Sequence, residues 1–330
     1  MTLTATFRSG LGPAISEYLS LKRALGRKYE GESYVLARLD RFLAAHDPSC
    51  TALTPAVFTA WCMDFARLSP NTRRGRMRIA RNLCLNMQRT DPACFVPDIT
   101  AFPTPQPHRR PHIFTEDQIV RLLQSAALLQ PRSTSPLLSE TYRLAVVVLY
   151  TAGLRRGELV RLNIPDYDPV ERTLLIRASK FHRSRLVALS SDATREMEMY
   201  LVARRRLGDA DGPLLIRSCR GLRARSGAGF GASMRRLFRS AGVRTADGRC
   251  PRVHDIRHTH AVHALLRWYR AGADVQAKLP ALAASMGHVS VVSTAYYLAL
   301  LDPVAQAASE RFAVHAAPIL EHLPVARGGR

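Results

Sequence analysis

Apolar residues recur every three to four positions through the first 95 residues, which predicts a run of helices. Val35, Leu39, Phe42 and Leu43 fall at i, i+4, i+7 and i+8, so they share one face of a helix. Asp47-Pro48 stops that helix, because proline brings no N–H and disfavours helical backbone in the residue before it. Phe58, Cys62 and Phe65 form the next stripe, entered through Thr54-Pro55, a cap followed by a first-turn proline. A further helix, with Asn71 as its expected cap, turns Ile79, Leu83 and Met87 inward. It carries Arg73, Arg74, Arg76, Arg78 and Arg81 as well.

The pattern then breaks. Residues 96–112 contain Pro97, Pro103, Pro105, Pro107 and Pro111, a density that excludes helix and predicts an extended linker between two domains. Periodicity resumes at 113–123, where Thr115 and Gln118 have the spacing of a capping box. Residues 143–153 are almost wholly apolar and end in Gly153, the signature of a buried helix with a glycine stop. Residues 173–177 and 185–189 read as two strands joined by a polar connection, hence a β-hairpin. The glycine-rich stretch 220–233 reads as a loop, without the GK[ST] ending of a phosphate-binding loop. Residues 254–270 read as a helix whose core stripe is Val262, Leu265, Leu266 and Tyr269. The pattern therefore predicts a mainly α protein with a small β-hairpin or sheet, an α+β fold in two domains.

Charge narrows the partners. The 330 residues carry a formal net charge of +22. Both halves contribute: residues 1–100 hold 14 Lys/Arg against 8 Asp/Glu, and the rest hold 34 against 18. A basic excess spread over both domains points to a polyanion, nucleic acid before membrane. The alternative is a solvated basic surface with no specific partner. No basic-then-apolar leader is visible at the start, and the longest membrane-like run, 144–154, is far short of the ~20 residues that span a bilayer. The six cysteines form no CxxC pair and read as reduced packing residues, so the expectation is a cytoplasmic protein.

Four stretches hold the chemistry: AGLRRGEL (152–159), SKFHRSR (179–185), HDIRH (254–258) and MGHVSVVSTAYYL (286–298). Arg155 follows the glycine-terminated helix, so a rigid element aims it. His254 and Arg257 lie three apart on one helix face and reach the same point. Guanidiniums fixed on a phosphoryl group stabilise the negative charge that builds up during its transfer. Tyrosine, with a free pKa near ~10, becomes a nucleophile when its proton can leave. His254 is placed to accept that proton and return it. HDIRH also mimics the zinc-binding HExxH, but its acid is Asp255 and Arg257 would set a cation beside the metal. No metal is therefore expected from these residues. Asp255 is assigned no chemistry, and His258, His260 and His263 read as packing or surface groups.

Arg155, Lys180, His254, Arg257, His288 and Tyr297, in that order over residues 113–300, resemble the tyrosine recombinases of the phage-integrase family. The resemblance implies a SAM-like helical core-binding domain at residues 1–95, the linker at 96–112, and a catalytic domain at 113–320 with a tail to 330. It selects Arg155 over Arg156, from GLR, and Tyr297 over Tyr296, nine residues beyond the Gly-His pair. Met286 stands where the family has leucine. In this reading Tyr297 attacks a DNA phosphate to give a 3′-phosphotyrosine and a free 5′-hydroxyl. Lys180 protonates the leaving oxygen, and His288 holds the phosphate. The resemblance implies no other cofactor. Arg73, Arg74, Arg76, Arg78, Arg81, Arg109 and Arg110 are the expected DNA-backbone contacts. The implied partners are double-stranded DNA, three further copies in a synaptic tetramer, and accessory recombinases, in a bacterial nucleoid. The implied tasks are integration, excision, transposition or multimer resolution. The segment 304–323 either docks on a neighbouring subunit or folds on its own domain. A type IB-like topoisomerase and a catalytically silent DNA-binding regulator remain as alternatives.

Overall fold

The computed structural model describes residues 7–27, 29–107, 109–177, 184–208, 211–220 and 223–288, with Gln306, Ser309, Glu310 and Phe312 beyond them. Lys180, Tyr296, Tyr297 and nearly all of the 304–323 segment lie outside the described residues. The chain divides into two compact units, one ending at Arg109 and the other starting at Arg110. Among the described residues it is mainly helical with small antiparallel sheets.

The first unit packs α1 (Gly12–Ala24), α2 (Glu30–His46), α3 (Pro55–Met63) and α4 (Pro70–Met87) around Trp61, Leu36, Leu39, Leu43 and Leu83. Thr54 accepts from the Val57 N–H at 3.3 Å, so the threonine-proline entry to α3 forms as expected. The buried Asp40 accepts from Ser9 N and Ser9 Oγ, at 2.9 and 2.7 Å, and so fixes the approach to α1.

Two local expectations change. Ser69, not Asn71, precedes α4; Asn71 instead exchanges two hydrogen bonds with the Gln106 backbone, at 2.9 and 3.0 Å. The proline-rich segment is also not a free extended tether along its whole length. Phe102 is buried against Phe58, and the Pro103 carbonyl accepts from Arg74. Proline removes backbone donors but leaves apolar side chains, and burial of Phe102 holds this stretch against the unit.

The second unit is built on α6 (Leu138–Thr151), which is flanked by α5 (Glu116–Ala127) and α8 (Ser191–Arg205). Thr115 and Gln118 form the expected reciprocal capping box. The hairpin of β2 (Thr173–Ile176) and β3 (Arg185–Ala188) is present, and a short β1 (Tyr167–Asp168) extends it to three antiparallel strands. Its register pairs Leu174 with Val187 and Ile176 with Arg185. Because side chains alternate faces, Arg185 points to the same side as the buried Leu174, Ile176 and Val187. A second pair, β4 (Ile216–Ser218) and β5 (Arg223–Ala224), lies further along.

The second half of the glycine-rich stretch read as a loop is the start of α9 (Gly227–Ser240), capped by the Ser226 hydroxyl on Gly229 N at 3.1 Å. Phe230, Met234, Leu237 and Phe238 repeat at i, i+4, i+7 and i+8, and all are buried. That stripe outweighs a helix penalty of about 1 kcal/mol for each glycine. Finally α10 (Val253–Arg270) and α11 (Val275–Met286) pack through Val262, Leu265, Leu279, Leu282 and Met286. Leu266 and Tyr269 of the expected α10 stripe are partly buried against the same cluster.

Candidate active site

The loop that delivers Arg155 depends on Gly153. Its φ of +60° is left-handed, and a Cβ there would sit 2.5 Å from the His260 ring. Glycine alone meets both demands without strain. The chain turns, buries Leu154 and enters the four-residue helix α7 (Arg156–Leu159) with Arg155 at its head. Glu158, only 3% exposed, reaches back to it: Oε2 accepts from the Arg155 N–H at 2.9 Å and Oε1 from Nη1 at 2.7 Å. Arg155 Nη2 donates to the Gly287 carbonyl at 2.8 Å.

Arg257 comes from the second turn of α10 and is 1% exposed. Its Nη1 donates to the Gly153 carbonyl at 2.7 Å and its Nη2 to the Met286 carbonyl at 2.6 Å. One side chain thereby joins the Arg155 loop to the end of α11. A guanidinium this deeply buried needs both hydrogen bonds and countercharge. Glu158 Oε2, 4.0 Å away, supplies the charge.

His254 stands one turn earlier on α10, exposed, with its ring edge-on to His258 at 4.7 Å between centroids. Asp255 accepts from Arg252 N at 2.8 Å and from Arg252 Nη2 at 2.7 Å, so it anchors the helix start. His260 and His263 pair with the Tyr150 carbonyl and hydroxyl. Of the three α10 histidines read as packing or surface groups, His258 packs on His254, and His260 and His263 are tied to Tyr150.

At the end of α11, Gly287 takes φ +66° and the His288 N–H bonds the Ala283 carbonyl at 2.9 Å, a glycine-stopped terminus. This turn holds His288 half-buried. Burial, and then the Arg257 and Arg155 cations, push His288 down to about 4. Desolvation and Arg257 bring His254 to about 4 as well. Since the His254 ring is open to solvent, the cations are the cause that persists however water fills the site. Both imidazoles are neutral at pH 7 and able to accept a proton.

Arg155, His254, Arg257 and His288 are therefore brought together from three separated stretches of chain, while Lys180 and Tyr297 lie outside the described residues. Arg156 turns away, its guanidinium lying over Gly227 and Gly231 of α9. Two residues that the sequence motifs do not single out, Glu158 and Arg185, join the site. Arg185 Nη1 and Nη2 donate to Glu158 Oε1 and Oε2 at 3.2 and 2.9 Å, and its Nε donates to the Ser285 carbonyl at 2.7 Å. Burial would raise the Glu158 carboxyl, but Arg185 and Arg155 more than offset it and hold the group at about 2. The available signal was a lone acid three residues after Arg155 among cations that need a counterion. Among the described residues no three His, Cys, Asp or Glu side chains converge as a metal-holding group.

In the first unit the arginines of α4 divide. Arg74 bonds the Pro103 carbonyl and Arg76 lies over the Phe65 ring, with 5.4 Å from its Cζ to the centroid. Arg73 and Arg81 are half-buried; Arg78, Arg109 and Arg110 are exposed. No helix among the described residues is long and apolar enough to cross a membrane.

Residues 112–303 match the family model described as the phage integrase family. The Sinorhizobium fredii protein y4rB, named an integrase/recombinase, is 32% identical over 89% of this chain and 93% of its own length. The tyrosine recombinase XerD of Mycobacterium tuberculosis is 33% identical over 58% of each chain. In fold, the Tn1549 transposon integrase solved with transposon right-end DNA aligns at a TM-score of 0.61 and 18% identity, covering 91% of this chain and 99% of that one. The chain belongs to the phage integrase family. It is a tyrosine-type recombinase, an enzyme of DNA strand transfer.

Proposed function

We propose that the chain cleaves and rejoins DNA at specific sites through Tyr297, serving the integration, excision or transposition of a mobile element or the resolution of multimers. The observation that carries this reading is the meeting of Arg155, Arg257, His254 and His288, with both guanidiniums anchored beside one buried carboxylate. Two cations set beside two neutral imidazoles suit a phosphodiester. The guanidiniums stabilise charge on its non-bridging oxygens, and a neutral base takes the phenolic proton. Arg155, with a quarter of its side chain exposed, is the arginine open to a phosphate in the free protein. Arg257 holds the loop and the α11 turn in register beneath it. His254 receives the tyrosine proton, His288 donates a hydrogen bond to phosphate, and Lys180 protonates the 5′ oxygen. The phosphotyrosine keeps the bond energy, so religation by a second 5′-hydroxyl needs no nucleotide cofactor.

In this reading the first unit grips the duplex, with Arg78 and Arg109 as its exposed contacts, Arg73, Arg74, Arg76 and Arg81 alongside, and the exposed Arg110 at the start of the second unit. Four copies act on two sites, in the bacterial cytoplasm at the nucleoid. Relaxation of supercoils without a defined site is the less favoured reading, given the integrase/recombinase relative that matches along 89% of the chain.

The test is a search for inverted repeats beside the gene, followed by a nicked suicide substrate built on any that are found. Wild-type protein is expected to form a covalent 3′ adduct, and Tyr297→Phe to bind but form none. An adduct that persists in Tyr297→Phe overturns the assignment of the nucleophile.

A further inference from the structure

We infer that Arg185 is a positioning residue for strand cleavage: it locks the Glu158 carboxylate and the α11 terminus together, and so fixes where Arg155 and His288 point. This inference rests on the recombinase reading of the site. Arg185 comes from β3, a part of the chain that supplies none of the other described site residues, and is 11% exposed in its side chain. The strand register explains its direction, since it shares the buried face with Ile176 and Val187.

The hydrogen bonds of Glu158 show what Arg185 does. A carboxylate offers about four acceptor positions. Oε1 takes Arg155 Nη1 and Arg185 Nη1; Oε2 takes Arg155 N and Arg185 Nη2. Arg185 thus fills half of the positions and leaves Arg155 only one side-chain bond to the acid. Arg155 Nη2 stays directed at the Gly287 carbonyl instead of closing a two-point fork on Glu158. Remove Arg185 and the carboxylate is free to draw both guanidinium nitrogens of Arg155 toward itself, away from the phosphate side.

The other end of Arg185 acts on His288. Its Nε caps the Ser285 carbonyl in the last turn of α11, where a cation also suits the helix dipole. The guanidinium lies directly beneath Gly287: a Cβ there would stand 2.7 Å from Nη1 and 2.9 Å from Cζ. Gly287 is therefore glycine for two reasons, its positive φ and the arginine packed under it. His288, the next residue, takes its direction from that packing.

The experiment uses the full chain as Arg185→Met, Arg185→Lys and Gly287→Ala. Each is measured for DNA affinity and single-turnover adduct formation on the suicide substrate, and by NMR titration of labelled His288. A displacement near 1 Å at a reacting group lowers rates by about 10²-fold. The expected result for Arg185→Met is a cleavage rate lower by about that factor with DNA affinity unchanged, and His288 titrating higher than in wild type. Arg185→Lys keeps the charge but not the fork, and is expected to restore the His288 titration more than the rate. Combined with Gly287→Ala, Arg185→Met is expected to add little, because both disturb the same packing. Wild-type rate and unchanged His288 titration in folded Arg185→Met overturn the inference, as does full additivity with Gly287→Ala. If the wild-type protein forms no adduct, the recombinase reading fails, and the NMR titration still decides whether Arg185 sets the environment of His288.

Discussion

Replacing Glu158 with glutamine tests whether the carboxylate is the hub of this site. The change keeps the shape but removes the charge and turns one acceptor into an N–H₂ donor facing guanidinium donors. The folded carboxyl titrates at about 2, against 4.5 for an ordinary glutamate. At about 1.36 kcal/mol per unit, the ion is worth about 3 kcal/mol to the folded state at neutral pH. Breaking one partner from a buried ion pair costs about 3–5 kcal/mol, which agrees. The sign of the pH effect follows. Because the folded pKa is depressed, this stability is complete above about pH 4.5 and is lost as pH falls toward 2. The chain has two tryptophans, Trp61 in the first unit and Trp268 on α10. In a Trp61→Phe background, Trp268 fluorescence reports the second unit alone. Glu158→Gln is expected to lower the urea midpoint of that unit by about 1 M or more, given slopes of about 1–3 kcal/mol per molar urea. It is also expected to flatten the acid dependence between pH 4.5 and 2. A variant within about 1 kcal/mol of wild type, with the acid slope intact, refutes the hub.

Gly153→Ala is expected to destabilise the second unit by at least about 1–2 kcal/mol, the left-handed backbone penalty. The clash with His260 adds to this and slows adduct formation; wild-type stability by the same fluorescence assay refutes it. His254 and His288 are expected to titrate near 4 in the free protein, well below an ordinary imidazole. Their folded pKa values are depressed, so stability is full above pH 6.5 and declines as pH falls toward 4. NMR titration that places both near 6.5 refutes the depression by burial and the neighbouring arginines. Neutralising Arg78, Arg109 and Arg110 is expected to weaken DNA binding and reduce its salt dependence by about one unit of slope for each phosphate no longer neutralised. An unchanged slope in a binding titration removes them from the interface.

Most of the helical frame was legible because its signals are local. The stripe Val35–Leu43, the Thr54-Pro55 entry and the Thr115–Gln118 box each need only a few neighbouring residues. The start of α9 was hidden because three glycines speak for a loop, while the stripe that overrides them begins at Phe230 and takes effect only on packing. Asn71 reads as a cap, yet its partner is Gln106, 35 positions away. The four described candidate residues, which folding brings near one another, were legible as ordered motifs. Glu158 and Arg185 were not, because each matters only through partners brought together by folding: Arg185 meets Glu158 across 27 positions and Ser285 across 100. A carboxylate among arginines looks like surface charge until burial removes the water.

The bond from Arg155 to the Gly287 carbonyl spans 132 positions. During synthesis, the stretch with Arg155 and Glu158 leaves the ribosome long before the turn that holds His288 exists. An interrupted chain that lacks α11 has no competent centre, because Arg257 then has no Met286 carbonyl to grasp and Arg155 no Gly287. The meeting of these groups therefore waits for the synthesis of α11, well after the Arg155 stretch has left the ribosome.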